Sequence, residues 1–167
     1  LKDDSLKDTP ARVAKMYVDE LFSGLDPANK PDITLFENKY RYNEMLVEKD
    51  ITFYSSCEHH FVPIFGKAHV AYISSGKVIG LSKMARIADM VAKRFQIQER
   101  MGFSIHRIMS AILSTDNVIV MIEGEHSCMT ARGIKKPGAV TRTLHTSGVF
   151  ENLDEQQSFI NLVRSSK

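Results

Sequence analysis

Two short clusters, Cys57-Glu58-His59-His60 and His126-Ser127-Cys128, hold the only two cysteines of this chain and place each beside histidine. Thiolate and imidazole are zinc ligands, and a closed structural zinc site needs four of them where these clusters offer five. The surplus points to chemistry rather than to a staple. Because the two clusters lie far apart in sequence, a fold that uses them together must return the chain to one point after a long excursion.

That excursion is readable in outline. Thr9 is an N-cap candidate with Pro10 at the first helical position, Val13, Met16, Tyr17 and Leu21 form an apolar stripe, and Gly24 ends the helix. A loop runs from Pro27 to Pro31. Residues from Ile51 to Ser55 are β-prone, and Ala68, Val70 and Tyr72 alternate with His69, Ala71 and Ile73 as in a half-buried strand, turned back by Ser74-Ser75-Gly76. Ser82 is positioned to cap a helix carrying Met84, Ile87, Ala88, Val91 and Phe95. A second helix, after Gln98-Glu99-Arg100, carries Met101, Ile105, Ile108, Met109 and Ile112. Val118 to Ile122 reads as a buried strand, Val140 to Thr143 as its partner, and Glu151 to Arg164 as a closing helix. The order predicts an α+β fold with an antiparallel sheet, and the sheet's open edges predict an oligomer.

With 167 residues, 43% of them hydrophobic, the chain is long enough for one self-sufficient core. No apolar run reaches the length of a membrane span. Lys and Arg number 22 against 20 Asp and Glu, a balance that argues against a nucleic-acid surface and makes any anion site local. The polar opening Leu1-Lys2-Asp3-Asp4 is no signal peptide, and cysteines so placed are expected to stay thiols, which predicts a cytoplasmic protein. The absence of an initiating methionine leads us to expect a missing upstream segment.

Cys57 and His60 are three apart and can meet at one point in a tight turn, whereas the adjacent His59 should project elsewhere. His126 and Cys128, two apart, share a face if extended. Most simply, then, Cys57, His60 and Cys128 hold zinc and leave the fourth position to water, while His59 and His126 are left to shuttle protons. The competing reading is a structural Cys2His2 zinc or two buried thiols. Against it, finger-like sites bring their ligands on one short module, and here whole helices and strands intervene.

Gly80-Leu81-Ser82-Lys83 opens a helix, and Lys83 with Arg86 puts two cations on one face beside its N-terminus, a pattern suited to phosphate. Positive charge there opposes the helix dipole, so a bound anion would relieve the conflict; Arg12 repeats the arrangement. Arg132 follows Cys128 closely enough to link a metal to an anionic ligand. Glu99 could accept two parallel N–H bonds from a guanine edge. Solvated surface charge is the ordinary fate of such residues.

Taken together, TPARVAKMYVDELFSGL, CEHHFVPIFGKAHVAYI, VIGLSKMARI, QIQERM and EHSCMTARGI resemble GTP cyclohydrolase I of the bacterial type, in order and at compatible spacing from about Thr9 to Phe150 and beyond. The resemblance implies a T-fold (tunnelling-fold) subunit with a four-stranded antiparallel sheet, two helices on one face, and N- and C-terminal helices. Residues 1–45 would form a partly truncated N-terminal helical segment, in one unit with a catalytic domain over 46–167. It implies a homodecamer of two pentamers with active sites between subunits, one Zn2+ per subunit on Cys57, His60 and Cys128, and acid/base roles for His59 and His126. Ser82, Lys83, Arg86 and Arg132 match the family's triphosphate contacts, with Arg12 supplied by a neighbouring subunit, and Gln98 and Glu99 match its guanine contacts. The implied reaction converts GTP and water to formate and 7,8-dihydroneopterin triphosphate, the first step toward tetrahydrofolate. It begins with zinc hydroxide attack at purine C8 and passes through ring opening, formate release, an Amadori rearrangement and ring closure. A zinc nucleobase deaminase would need Pro-Cys-x-x-Cys, which is absent. A zinc-stabilised RNA-binding module sits poorly with the balanced charge.

Overall fold

The computed structural model describes residues 3–165. Its centre is a sheet whose long strands β2 (Leu46–Cys57), β3 (Pro63–Tyr72), β6 (Val118–His126) and β7 (Val140–Thr146) run antiparallel in that spatial order. The sheet has five strands, not four: the two-residue β5 (Phe95–Gln96) adds to the outer side of β2 in parallel, through Ser56↔Phe95 and Cys57↔Gln96. Away from it, β1 (Leu35–Glu37) pairs with β4 (Lys77–Ile79) in a separate ribbon. So short a parallel strand leaves no periodicity in the sequence, because backbone pairing alone defines it.

Helices α2 (Leu81–Ala92) and α3 (Gln98–Leu113) lie between β3 and β6 in the chain and cover one face of the sheet. Met84, Ile87, Ala88 and Val91 of α2 and Met101, Ile105, Met109 and Leu113 of α3 pack on Phe53, Ala68, Val70, Val118, Val120 and Ile122, all buried. The opposite face is smaller. There Ala71, Ile119 and Met121 meet Phe150 and Phe159, the latter from α5 (Leu153–Arg164). Residues 68–72 of β3 are therefore buried on both faces rather than half-buried, because α5 supplies a second cover. Asn152 caps α5, its side chain accepting from Asp154 N at 2.8 Å, and Lys49 Nζ donates to Leu162 O at 3.2 Å at the other end, where the helix dipole favours a cation.

The N-terminal helix α1 (Thr9–Lys15) starts one residue earlier than Thr9-as-cap would have it, with Asp8 at the cap and Pro10 in its first turn. It widens into a π-helical stretch, Met16–Leu21. Val13 and Met16 of the expected apolar stripe remain exposed, because nothing among the described residues covers them. Gly24 does more than end a helix: its N–H donates to Lys93 O at 3.0 Å, its carbonyl accepts from Arg94 Nε at 3.0 Å, and a Cβ would overlap the carbonyl of Met90. Only glycine lets this turn touch the end of α2. No helix among the described residues is long and apolar enough to cross a membrane.

Candidate active site

Cys57 ends β2, buried at 4% exposure, and the chain then closes a tight turn in which Phe61 N donates to Cys57 O at 2.8 Å and Cys57 N to Val62 O at 2.9 Å. Phe61 takes the left-handed conformation, φ 53°, that the turn demands. Its carbonyl accepts from Tyr17 Oη at 3.0 Å, and its ring packs at a tilt against that of Phe95, with centroids 4.8 Å apart; Phe95 in turn meets Phe22 at 3.8 Å. The turn that carries the first cluster is thus held from outside the sheet by the N-terminal segment.

The second cluster arrives on β6, hydrogen-bonded beside β3, with Ile64 opposite His126. The strand stops at His126, and Cys128 lies in the short helix α4 (Ser127–Thr130). The two residues accordingly do not share an extended face. The helical turn swings Cys128 toward Cys57 while His126 stays on the strand. The ligand atoms of Cys57, His60 and Cys128 all lie within 4.8 Å of one another. His60 Nδ1 is 3.8 Å from Cys57 Sγ, and His59 Nδ1 is also 3.8 Å from that sulfur, so His59 does not turn wholly away.

These donors fit a zinc ion. Both cysteines are free thiols, and two sulfurs with one imidazole are the soft-to-borderline set that zinc takes. Burial, and then the neighbouring Cys57, push the Cys128 thiol above its ordinary range; a divalent cation bound here would favour the thiolate instead.

His126 Nε2 lies 2.9 Å from Gln98 Oε1, and burial lowers the pKa of the ring while Glu99 opposes that shift. Gln98 and Glu99 do not precede α3 but form its first turn, with Ile97 at the cap. Gln98 is 2% exposed and Glu99 is exposed. Arg100, unassigned by sequence reasoning, pairs with Glu58 and donates to Gln96 Oε1 at 3.1 Å, tying the cysteine turn to the start of α3. Its signal was present in Gln98-Glu99-Arg100, but a salt bridge across the sheet's edge has no sequence signature.

The anion residues lie on α1, on α2 and just after α4. Gly80, not Ser82, caps α2, leaving Ser82 exposed in the first turn with Lys83 and no acidic residue beside them. Arg86 faces a cleft of about 500 Å3 shared with Asp19, Asp32, Asp89 and Lys93. Arg132 follows α4, exposed, and close enough for its charge to act on Cys128. Arg12 donates to Ser5 O at 3.3 Å, and no hydrogen bond or ion pair among the described residues joins it to the cysteine–histidine group.

The fold is similar to that of the apo crystal structure of the archaeosine synthase QueF-Like, with a TM-score of 0.52 and 16% identity over 63% of this chain and 95% of that one. The likeness defines the class of fold. The family model of GTP cyclohydrolase I matches residues 1–164, and the chain belongs to that family of enzymes. It is 50% identical to GTP cyclohydrolase 1 of Flavobacterium johnsoniae over 164 residues, covering 98% of this chain and 74% of the relative. Against GTP cyclohydrolase 1 of Yersinia enterocolitica the identity is 51% over 165 residues, with 98% and 75% covered.

Proposed function

We propose that this chain converts GTP and water to formate and 7,8-dihydroneopterin triphosphate, with Cys57, His60 and Cys128 holding one zinc ion. The convergence of those three side chains within 4.8 Å, beside a histidine already hydrogen-bonded in place, is the observation that carries this reading. Bound there, zinc would lower the pKa of a water from about 15.7 to about 7, making a nucleophile available at neutral pH for a purine carbon.

The chain's own residues do the rest. His126, partly buried and with its pKa lowered by that burial, takes up and returns the protons that ring opening and formate release require, with His59 as the more exposed second shuttle. Glu99, exposed at the start of α3, accepts the paired N–H groups of a guanine edge. The N-terminus of α2, where Gly80 brings no side-chain cap, holds the triphosphate with Ser82, Lys83 and Arg86, and with Arg132 from after α4. Arg12, exposed on α1, completes that site from a neighbouring chain, which makes a homo-oligomer, a decamer of two pentamers, part of the proposal. Residues 1–45 and 46–167 act in it as one unit, and the free thiols suit the reducing cytoplasm.

Incubation of the zinc-loaded protein with GTP is expected to release formate and to give pterin fluorescence after oxidation; no formate would refute the proposal. Cys128→Ala should lose the metal, whereas His126→Ala should keep about one zinc per chain and lose turnover by about a hundredfold or more. Equal loss of zinc in both variants would overturn the division of roles.

A further inference from the structure

We infer that Arg100 is the positioning residue of the cysteine turn: from the first turn of α3 it holds Glu58, and with it Cys57 and His60, in the arrangement that receives the metal ion. Its guanidinium reaches two elements at once. Nη2 pairs with Glu58 Oε2 and donates to Phe95 O at 2.7 Å, and Nε donates to Gln96 Oε1 at 3.1 Å. Gln96 is 2% exposed, and its amide nitrogen donates onward to Val91 O at 2.7 Å, so the acceptor that meets Arg100 is itself fixed to the end of α2. The backbone follows the same path, because Glu58 N donates to Gln96 O at 3.1 Å.

Strand β5 pairs with β2 at two positions, Ser56↔Phe95 and Cys57↔Gln96, and so short a ladder holds weakly because each hydrogen bond exchanged with water contributes little net. Arg100 adds one bond to each residue of β5 and one to the residue after Cys57. It also fixes a distance that the proposed reaction depends on. Arg100 follows Glu99, and Glu58 follows Cys57, so the pair joins the reader of the base to the turn that carries two of the metal donors. Both side chains are partly exposed, 46% and 31%, which makes the pair a small term in global stability and its effect local. The planar fork matters as well as the charge, since one ammonium group does not serve a carboxylate, a carbonyl and an amide oxygen along the same directions.

This role rests on the zinc assignment of the proposed function, and a binding measurement without turnover tests it. Competition between the full chain and a chromophoric chelator for Zn2+, in the absence of GTP, is expected to show binding weaker by about tenfold or more for Arg100→Lys and for Glu58→Ala, at urea midpoints close to that of the wild type. The double variant Glu58→Ala/Arg100→Lys should bind no more weakly than the weaker single variant, because both changes break one pair. Wild-type Zn2+ affinity in both single variants, or losses that multiply in the double variant, would overturn the inference and leave the proposed reaction standing. The expected losses together with no formate from GTP in the wild type would refute the reaction and leave Arg100 in its role. A wild-type chain that binds no Zn2+ would overturn both. Wild-type Zn2+ affinity in Arg100→Lys with a raised KM for GTP would make Arg100 a substrate contact instead. If Arg100→Lys fails to fold, Glu58→Ala, which keeps the bonds of Arg100 to β5, decides alone.

Discussion

At the scale of single residues, one buried and one half-buried histidine outside the site set a pH dependence of their own. His69 is 1% exposed; its Nδ1 accepts from Asp50 N at 3.2 Å, and its Nε2 faces Glu123, 3.6 Å away, which also pairs with Arg142. Burial lowers the pKa of His69 more than the carboxylates raise it, and burial lowers that of His106 as well. A histidine with a depressed folded-state pKa binds fewer protons in the native state than in the unfolded one. Its stabilisation is complete above the unfolded value of about 6.5 and is lost as pH falls through the folded pKa. The urea midpoint should therefore decline as pH is lowered below about 6.5, and His69→Gln should flatten part of that decline. An unchanged slope in the variant would show that His69 does not titrate on unfolding.

At the scale of elements, stability is concentrated where two elements touch without room to spare. Gly24→Ala would drive a Cβ into the carbonyl of Met90 and within 2.7 Å of that of Lys93, backbone on both counts, so the turn or the end of α2 must move. The expected cost is about 1–3 kcal/mol or more, read from chemical denaturation. Asn152→Ala, which removes the cap of α5, should cost about 1 kcal/mol. α2, α3 and β3 were legible from an apolar period that matches their type, as in Met84, Ile87, Ala88 and Val91, whereas β6 showed as an unbroken apolar run and β7 as a β-branched stretch. The ribbon of β1 and β4, the two-residue β5 and the helical turn α4 were not, since backbone pairing and turn geometry create them. Ser82 read as a cap because serine is a good one, yet Gly80 holds that position.

At the scale of the whole molecule, the chain leaves surfaces that one copy does not cover. Val13 on α1 and Met16 at the start of the π-helical stretch are 43% and 38% exposed, and Val140 on the open edge strand β7 is 54% exposed. If neighbouring copies cover them and Arg12 reaches across, Val13→Glu should lower the mass in solution, measured by light scattering, and reduce turnover together with it. Loss of mass with full activity per chain would show that the site is complete in one subunit. The wild-type protein should have the mass of ten chains.

The sequence by itself determined the α+β class, the helices and long strands, the ligand types and the family, because apolar period and the chemistry of Cys, His and a string of matched blocks are local properties. Only the tertiary structure decided how the donors meet. Cys57, His60 and Cys128 converge because β3 brings the end of β6 beside the turn after β2, and α4 then swings Cys128 inward. Gln98 faces His126, not solvent, because the first turn of α3 lies against β6 and β7, where two strand carbonyls take its amide hydrogens. Proximity across a sheet depends on register and packing, which no stretch of sequence contains.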